Sequence, residues 1–155
     1  MEMKDIRFFR ETMRQMQRNL GWQWKNDAAC CGITLAQCHA LLEIGKSGEI
    51  ALVELASLLG LDASTLSRTI DGMVLAGLLE RRANHQDRRY VKITLTEQGK
   101  EVYDRINRTY DDYYSQVFAD IPPDKHGQIL ESMELLVNAI DGLHSDTCGQ
   151  EGQSR

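Results

Sequence analysis

The stretch VELASLLGLDASTLSRTIDGMVLAGLLERRANHQDRRYVKITL, residues 53–95, decides the fold. Its apolar spacing predicts two helices, Val53–Leu59 and Ala63–Ala76, separated by a tight turn. The alternating and β-branched residues that follow predict a hairpin of two strands, Leu78–Ala83 and Arg89–Leu95, joined by a polar turn. A short helix, a turn, a second helix and a basic hairpin together predict a winged helix-turn-helix.

Helical patterns extend on both sides of this motif. Apolar residues recur every three or four positions from Ile6 to Trp24, which predicts an amphipathic first helix. The pattern breaks over 26–32, where we expect a loop that holds a pair of cysteines. A second helix starts after Thr34 and is expected to stop at Gly45. A long helix after the hairpin and one more near the C-terminus complete the predicted order.

The composition describes one globular domain. The chain has 155 residues, of which 42% are hydrophobic and 26% charged, so it can bury a core without disulfides or a metal. It contains no apolar run of 18 residues, and its charged N-terminus lacks the apolar segment of a secretory signal. We therefore expect a cytoplasmic protein that spans no membrane and keeps its four cysteines as thiols.

Charge is distributed unevenly along the chain. Residues 81–92 hold five Lys/Arg and one Asp, a net +4, whereas residues 97–155 hold five Lys/Arg and twelve Asp/Glu, a net −7. A short basic element on an acidic body can meet a polyanion such as nucleic acid. Charge alone leaves a second interpretation open, namely a solvated surface without a partner.

The exposed face of the second helix of the motif has the composition of a DNA reader. It carries hydroxyl side chains and one guanidinium, and no acidic residue precedes Asp71. In a major groove, Arg forms a bidentate hydrogen bond with guanine, and Ser and Thr form hydrogen bonds with bases or phosphates. A helix N-terminus also favours a nearby phosphate. The alternative is an exposed polar helix in a bundle, which the basic hairpin disfavours. The candidate DNA contacts are Ser64, Thr65, Ser67, Arg68 and Thr69 on the helix and Arg88, Arg89 and Lys92 in the hairpin.

These segments resemble the MarR family of winged-helix transcriptional regulators. The resemblance extends over about residues 5–143, and the D-R-R…L-T-x-x-G signature is fairly specific when it follows a helix-turn-helix. The matching residues are Leu55-Ala56, Leu61 to Arg68, Gly77 to Arg81, Asp87-Arg88-Arg89 with Val91, and Leu95-Thr96 with Gly99.

The resemblance implies a homodimer in which the first helix and the last two helices interlock. The last predicted helix agrees with this, because its apolar residues from Ile129 to Leu143 recur at steps of four and three, a seam for another helix. The expected fold class is mainly α with a small β-hairpin wing. The implied domains are a helical dimerisation region, 1–45 and 96–145, a DNA-binding domain, 46–95, and a flexible tail, 146–155.

The resemblance also implies double-stranded DNA as the partner. A two-fold dimer places its reader helices roughly 34–36 Å apart, so the operator should be a near-palindrome and the protein should associate with the nucleoid. A wing arginine of the family reaches the minor groove, and here both Arg88 and Arg89 are candidates. Asp87 is expected to orient an arginine, because a carboxylate facing phosphates would repel them.

The effector is less determined than the partner. Members of the family commonly bind phenolic or other small ligands, or react through a cysteine. The candidate sensing residues here are Cys30, Cys31, Cys38 and His39, as a clasp for a thiophilic ion or as a redox sensor. The alternatives are purely structural cysteines and a zinc site, although the long fifth helix has no His for zinc. No cofactor is required.

The sequence offers two alternatives to a DNA-binding repressor. A winged helix that binds only proteins has no need of five basic residues in its wing. A small metal-dependent enzyme at the cysteines would have only Glu43 as a general base and would leave the reader helix unexplained. We therefore expect a regulator and not an enzyme.

Overall fold

A computed structural model describes residues 2–83 and 91–148 and confirms the predicted fold class. The described residues form six helices and three short strands, joined by short turns. The elements are α1 Met3–Cys30, α2 Leu35–Ser47, β1 Glu49–Ala51, α3 Leu52–Leu59, α4 Ala63–Leu75, β2 Leu79–Ala83, β3 Val91–Leu95, α5 Glu97–Ala119 and α6 Pro123–Cys148.

The chain divides into two compact units, Met1–Tyr110 and Asp111–Arg155. The first contains the helix-turn-helix and the sheet, and the second contains the end of α5 and all of α6. The predicted boundaries of a dimerisation region and a DNA-binding domain stay a prediction. Part of the predicted tail lies outside the described residues, because the structure describes the chain only as far as Cys148.

The sheet has three antiparallel strands in the order β1-β3-β2. The predicted hairpin is its β2–β3 part, and β1 adds Ile50 opposite Ile93. Ile50, Leu79 and Ile93 are buried and join the sheet to the core. Because β1 has only three residues, its sequence carries too few alternations to predict a strand.

Helix α4 is fixed at both ends by its own sequence. Asp62 caps its N-terminus and accepts a hydrogen bond from the Thr65 amide at 2.8 Å. At its C-terminus, Gly77 has φ +74° and lets the Leu78 amide bond back to the Met73 carbonyl at 3.0 Å. This closure turns the chain directly into β2.

Helix α1 is longer than predicted. The residues of the expected 26–32 loop continue the helix as far as Cys30, and Gly32, with φ +74°, then ends it. Asp27 and Ala28 are buried, and the Gln23 amide donates to Asp27 at 2.9 Å. Tertiary burial therefore stabilises a helical segment that lacks a regular apolar spacing.

Helix α2 begins as predicted and ends later. The capping box of Thr34 and Gln37 is present, with both reciprocal hydrogen bonds. The helix passes Gly45 and stops at Gly48, whose φ is +74°. Gly45 is instead a packing site, because a Cβ there would lie 2.3 Å from the Tyr103 ring.

Two further details position α3 and α5. The apolar spacing of α3 predicts that Leu55, Leu58 and Leu59 face inward. Leu58 is instead 62% exposed, since the eight-residue helix buries only a narrow stripe. The Thr96 hydroxyl accepts from the Gly99 amide at 3.0 Å and so starts α5 as predicted. Gly99 lies against the Leu78 carbonyl, where a Cβ would come within 2.0 Å of the oxygen.

In the second unit, His126 Nε2 lies 3.0 Å from the Ile121 carbonyl and 3.1 Å from the Phe118 carbonyl, across the turn between α5 and α6.

No single helix of the described residues is long and apolar enough to cross a membrane. Helices α1 and α2 taken together are long and apolar enough, by length and composition only, but the chain bends by 83° between them.

We predict that Gly45→Ala and Gly99→Ala each lower the free energy of unfolding by about 1–3 kcal/mol, because the added methyl group forces a ring or a carbonyl to move. Urea denaturation measures the change. Gly127→Ala in α6 is the control, because its Cβ would meet nothing within 4 Å, and it should raise stability by about 0.4–1 kcal/mol. Equal effects at all three sites would contradict the close-packing role of Gly45 and Gly99.

Candidate nucleic-acid interface

One face of α4 is buried, and this determines which face remains available. Leu66, Ile70 and Met73 are fully buried in the core of the first unit, beside Leu55 of α3. Burying side chains of this size contributes about 1.5–3 kcal/mol each. Rotation of α4 about its axis would expose them, so the polar residues between them are held at the surface.

The N-terminus of α4 already holds a negative charge. The Asp62 carboxylate accepts from the Ser64 hydroxyl at 2.6 Å and from the Thr65 amide at 2.8 Å. Hydrogen bonds from Ser64, and then from Thr65, hold the pKa of Asp62 well below its ordinary value. The carboxylate therefore occupies the position at which the sequence suggested a phosphate.

The predicted reader residues differ in how free their side chains are. Ser64, Thr65 and Arg68 are exposed, whereas Ser67 and Thr69 are half-buried. The Ser64 hydroxyl donates to Asp62, and the Thr69 hydroxyl donates to the Thr65 carbonyl at 3.3 Å. Arg68 forms no ion pair with any described residue, so its guanidinium keeps its donors for an external acceptor.

The basic residues at the base of the wing are paired with acids. Arg81 Nη2 lies 2.6 Å from an Asp71 carboxylate oxygen on α4. Arg82 donates to Glu80 from Nε at 3.0 Å, and the Lys92 ammonium is paired with Glu49 of β1. The positive charge of the segment from 81 to 92 is therefore partly neutralised by the protein itself.

The tip of the wing lies outside the described residues. Asp87, Arg88 and Arg89 belong to residues 84–90, so their predicted roles stay predictions. The assignment of Lys92 as a DNA contact also stays a prediction, although its ammonium has an acidic partner here.

A cleft of about 520 Å³ lies over the polar face of the sheet, between the end of α2 and the first turns of α5. Its volume is in the range of small-molecule sites. The aromatic and charged residues of its lining carry both signs of charge. They are Glu49, Arg82, Lys100, Tyr103 and Asp104.

The three cysteines predicted to sense an effector differ in exposure. Cys38 is fully buried and its Sγ lies 3.5 Å from the Tyr110 hydroxyl, whereas Cys30 is exposed and Cys31 half-buried. Burial raises the pKa of the Cys38 thiol; the Tyr110 hydrogen bond opposes this shift, and nearby Cys31 and Asp27 add to it. Cys38 is therefore a neutral thiol at pH 7 and a poor nucleophile.

A metal ion would need side chains to move. Within residues 2–83 and 91–148, no group of three or more His, Cys, Asp or Glu side chains is placed to hold one. His39 packs edge-on against Trp24, with ring centroids 6.1 Å apart. The thiophilic-ion clasp at Cys30, Cys31 and Cys38 stays a prediction.

Sequence reasoning missed the acidic partners of the wing. Glu49 belongs to the strand that the sequence did not predict, and its pairing with Lys92 spans 43 residues. Glu80 and Arg82, by contrast, lie two residues apart on a predicted strand, and that spacing places them on the same face. The Glu80–Arg82 pair could therefore be predicted from the sequence, whereas the Glu49–Lys92 pair could not.

Comparison with known proteins gives one consistent family. The MarR family profile matches residues 33–91. The chain is 30% identical over 109 residues to the multiple antibiotic resistance protein MarR of Salmonella typhimurium, covering 70% of this chain and 73% of that protein. It is 23% identical over 105 residues to the HTH-type transcriptional regulator BilQ of Clostridium symbiosum, covering 68% and 73%.

Solved structures show the same fold. FabT of Streptococcus pneumoniae in complex with DNA has a TM-score of 0.79 at 17% identity, covering 89% of this chain and 99% of that chain. A mutant of MarR from E. coli complexed with operator DNA has a TM-score of 0.70 at 22% identity, covering 90% and 99%.

We predict that a water-soluble alkylating reagent modifies Cys30 rapidly in the folded protein and Cys38 only upon unfolding, because burial keeps Cys38 inaccessible and protonated. Peptide mass spectrometry after timed quenching measures both rates in the same sample. In urea the two cysteines should react alike. Equal rates under native conditions would contradict the buried, neutral state of Cys38.

Proposed function

Because the chain belongs to the MarR family of DNA-binding transcriptional regulators, we propose that it is a homodimeric repressor that binds a near-palindromic operator. On this proposal it acts in the cytoplasm, on the nucleoid, and is not an enzyme. The observation that carries it is the state of Arg68, an exposed guanidinium without an ion pair among the described residues, on a helix whose opposite face is buried.

The chemistry of α4 supports sequence-specific contact. Arg68 is the donor best suited to guanine, and Ser67 lies beside it without an internal hydrogen bond in the described structure. The Thr65 hydroxyl keeps its proton and can donate to a phosphate. The hydroxyl protons of Ser64 and Thr69 are already donated within the protein, so these two oxygens keep only acceptor lone pairs, for base amino groups. In this proposal either Arg88 or Arg89 enters the minor groove, and Asp87 orients an arginine.

Exposed apolar surface supports a dimer. Helix α1 exposes Phe8 at 75% and Trp22 at 68%, and α6 exposes Leu130 and Leu135 at 60% and 65%. A monomer rarely leaves so many large apolar side chains in water, and helices of this kind usually cover each other across a two-fold axis. A dimer also supplies the second reader helix that a near-palindrome requires.

Control by an effector is the remaining part of the proposal. The cleft of about 520 Å³ over the sheet is the first candidate site for a small molecule, because it joins the wing strands to α5. Thiol chemistry is the second candidate and would act first at Cys30, which is exposed, and at Cys31, which is half-buried. Neither requires a cofactor.

We predict that Arg68→Ala weakens operator binding by about 1–3 kcal/mol and relaxes the preference at one base pair of each half-site, because a bidentate contact to guanine is lost. The operator is first selected from a pool of random duplexes. Fluorescence anisotropy on the operator and on a random duplex then measures both affinities.

The matched control is Arg105→Ala, which removes the same charge from the exposed face of α5. It should leave base preference unchanged. If the wild-type protein selects no duplex, the alternative of a protein-binding winged helix replaces this proposal. An equal loss on both duplexes in Arg68→Ala would show that Arg68 contacts only phosphate.

We predict that the double variant Met133→Glu, Ile140→Glu converts the dimer to a monomer at micromolar concentration, because two charges replace apolar residues of the α6 stripe. Sedimentation velocity measures the mass, and circular dichroism confirms that the helices remain. Leu75→Glu on α4, where the side chain is 89% exposed, is the control and should stay dimeric. A folded double variant that remains a dimer would exclude this stripe from the interface.

A further inference from the structure

The outer face of the sheet carries a continuous network of charges. Strand register places Arg82 directly opposite Lys92, and Glu80 and Glu49 on either side of Thr94. These five side chains belong to one face, because their positions alternate with those of Leu79, Ile93 and Ile50, which face the core. Two cations that would repel each other across the strands are thus each beside an acid.

The acids are held in place by more than charge. One carboxylate oxygen of Glu80 accepts from Arg82 Nε at 3.0 Å, from Arg82 Nη2 at 2.5 Å and from the Thr94 hydroxyl at 3.2 Å. Thr94 is buried, so its hydroxyl holds the Glu80 carboxylate against the sheet. Glu49 holds Lys92 across the β1–β3 pair.

We infer that Glu49 and Glu80 limit the affinity of this protein for DNA by neutralising Lys92 and Arg82. The inference rests on the proposed function and departs from the expectation that Lys92 contacts DNA directly. The two acids are affinity-setting residues, and they act through the cations that they hold.

The physical basis is counterion release. A Lys or Arg that neutralises a phosphate frees a condensed cation, and each such contact steepens the fall of log K with log salt by about 0.9. A cation that already has a carboxylate partner must give it up to make this contact. The freed carboxylate then lies beside the phosphates and repels them. The net gain in binding free energy is therefore small.

Glu49→Gln keeps the size of the side chain and removes its charge, so Lys92 becomes available. The variant should bind a random duplex more tightly, with a steeper salt dependence. If one phosphate contact is gained, the ratio of variant to wild-type affinity grows about 3.5-fold when salt falls from about 200 mM to about 50 mM. The operator should show the same gain, because a phosphate contact carries no sequence information.

The double variant Glu49→Gln, Lys92→Gln tests whether Glu49 acts through Lys92. Its salt slope and affinity should return to those of the wild type, because the variant has lost both the charge of Glu49 and the charge of Lys92. Glu97→Gln is the matched control, because Glu97 also pairs with a lysine, Lys100, but lies on the first turn of α5. It makes the same change in net charge and should leave the salt slope unaltered.

Anisotropy titrations of the full chain at four salt concentrations give every slope, and urea denaturation checks that each variant is folded. A steeper slope in Glu49→Gln that disappears in the double variant supports the inference. An unchanged slope in a folded Glu49→Gln, or a steeper slope that persists in the double variant, would overturn it while leaving the proposed function intact. A wild-type protein that binds neither duplex would contradict both.

Discussion

The burial of one stripe of α4 is the constraint on which the rest of the structure depends. Leu66, Ile70 and Met73 are excluded from water, and replacing any of them by Ala would cost about 2–5 kcal/mol. With that stripe fixed, Arg68 has only the surface to occupy. Gly77 then directs the chain into β2, so the reader helix and the wing are positioned by the same core.

The helix-turn-helix was predictable because its signals are local. Asp62 and Gly60 define helix ends by hydrogen bonding and by backbone conformation, within three or four residues of where they act. The face of α4 followed from spacing alone, since the apolar positions repeat with the helical period. The hairpin, and the cap that Thr96 gives α5, were predictable for the same reason.

The remaining features depend on contacts between distant residues. The extension of α1 through Asp27 requires burial that no local pattern encodes, and Gly45 ends no helix because Tyr103, 58 residues further along, packs against it. The charge pairing at the candidate site also depends on distant contacts. Composition showed five basic residues between 81 and 92, whereas only the register of the strands shows which acids meet Arg82 and Lys92.

The cleft over the sheet shares Glu49 and Arg82 with this network of charges. An anionic solute bound there through Arg82 would compete with Glu80 for the guanidinium, and a cationic solute would compete with Lys92 for Glu49. Occupancy of the cleft and the charge available to DNA are therefore linked quantities. Thermodynamic reciprocity then requires that DNA change the affinity for such a solute by the same factor as the solute changes the affinity for DNA. A measured change in the affinity for the solute would thus give the change in the affinity for DNA, without a signal from the DNA itself.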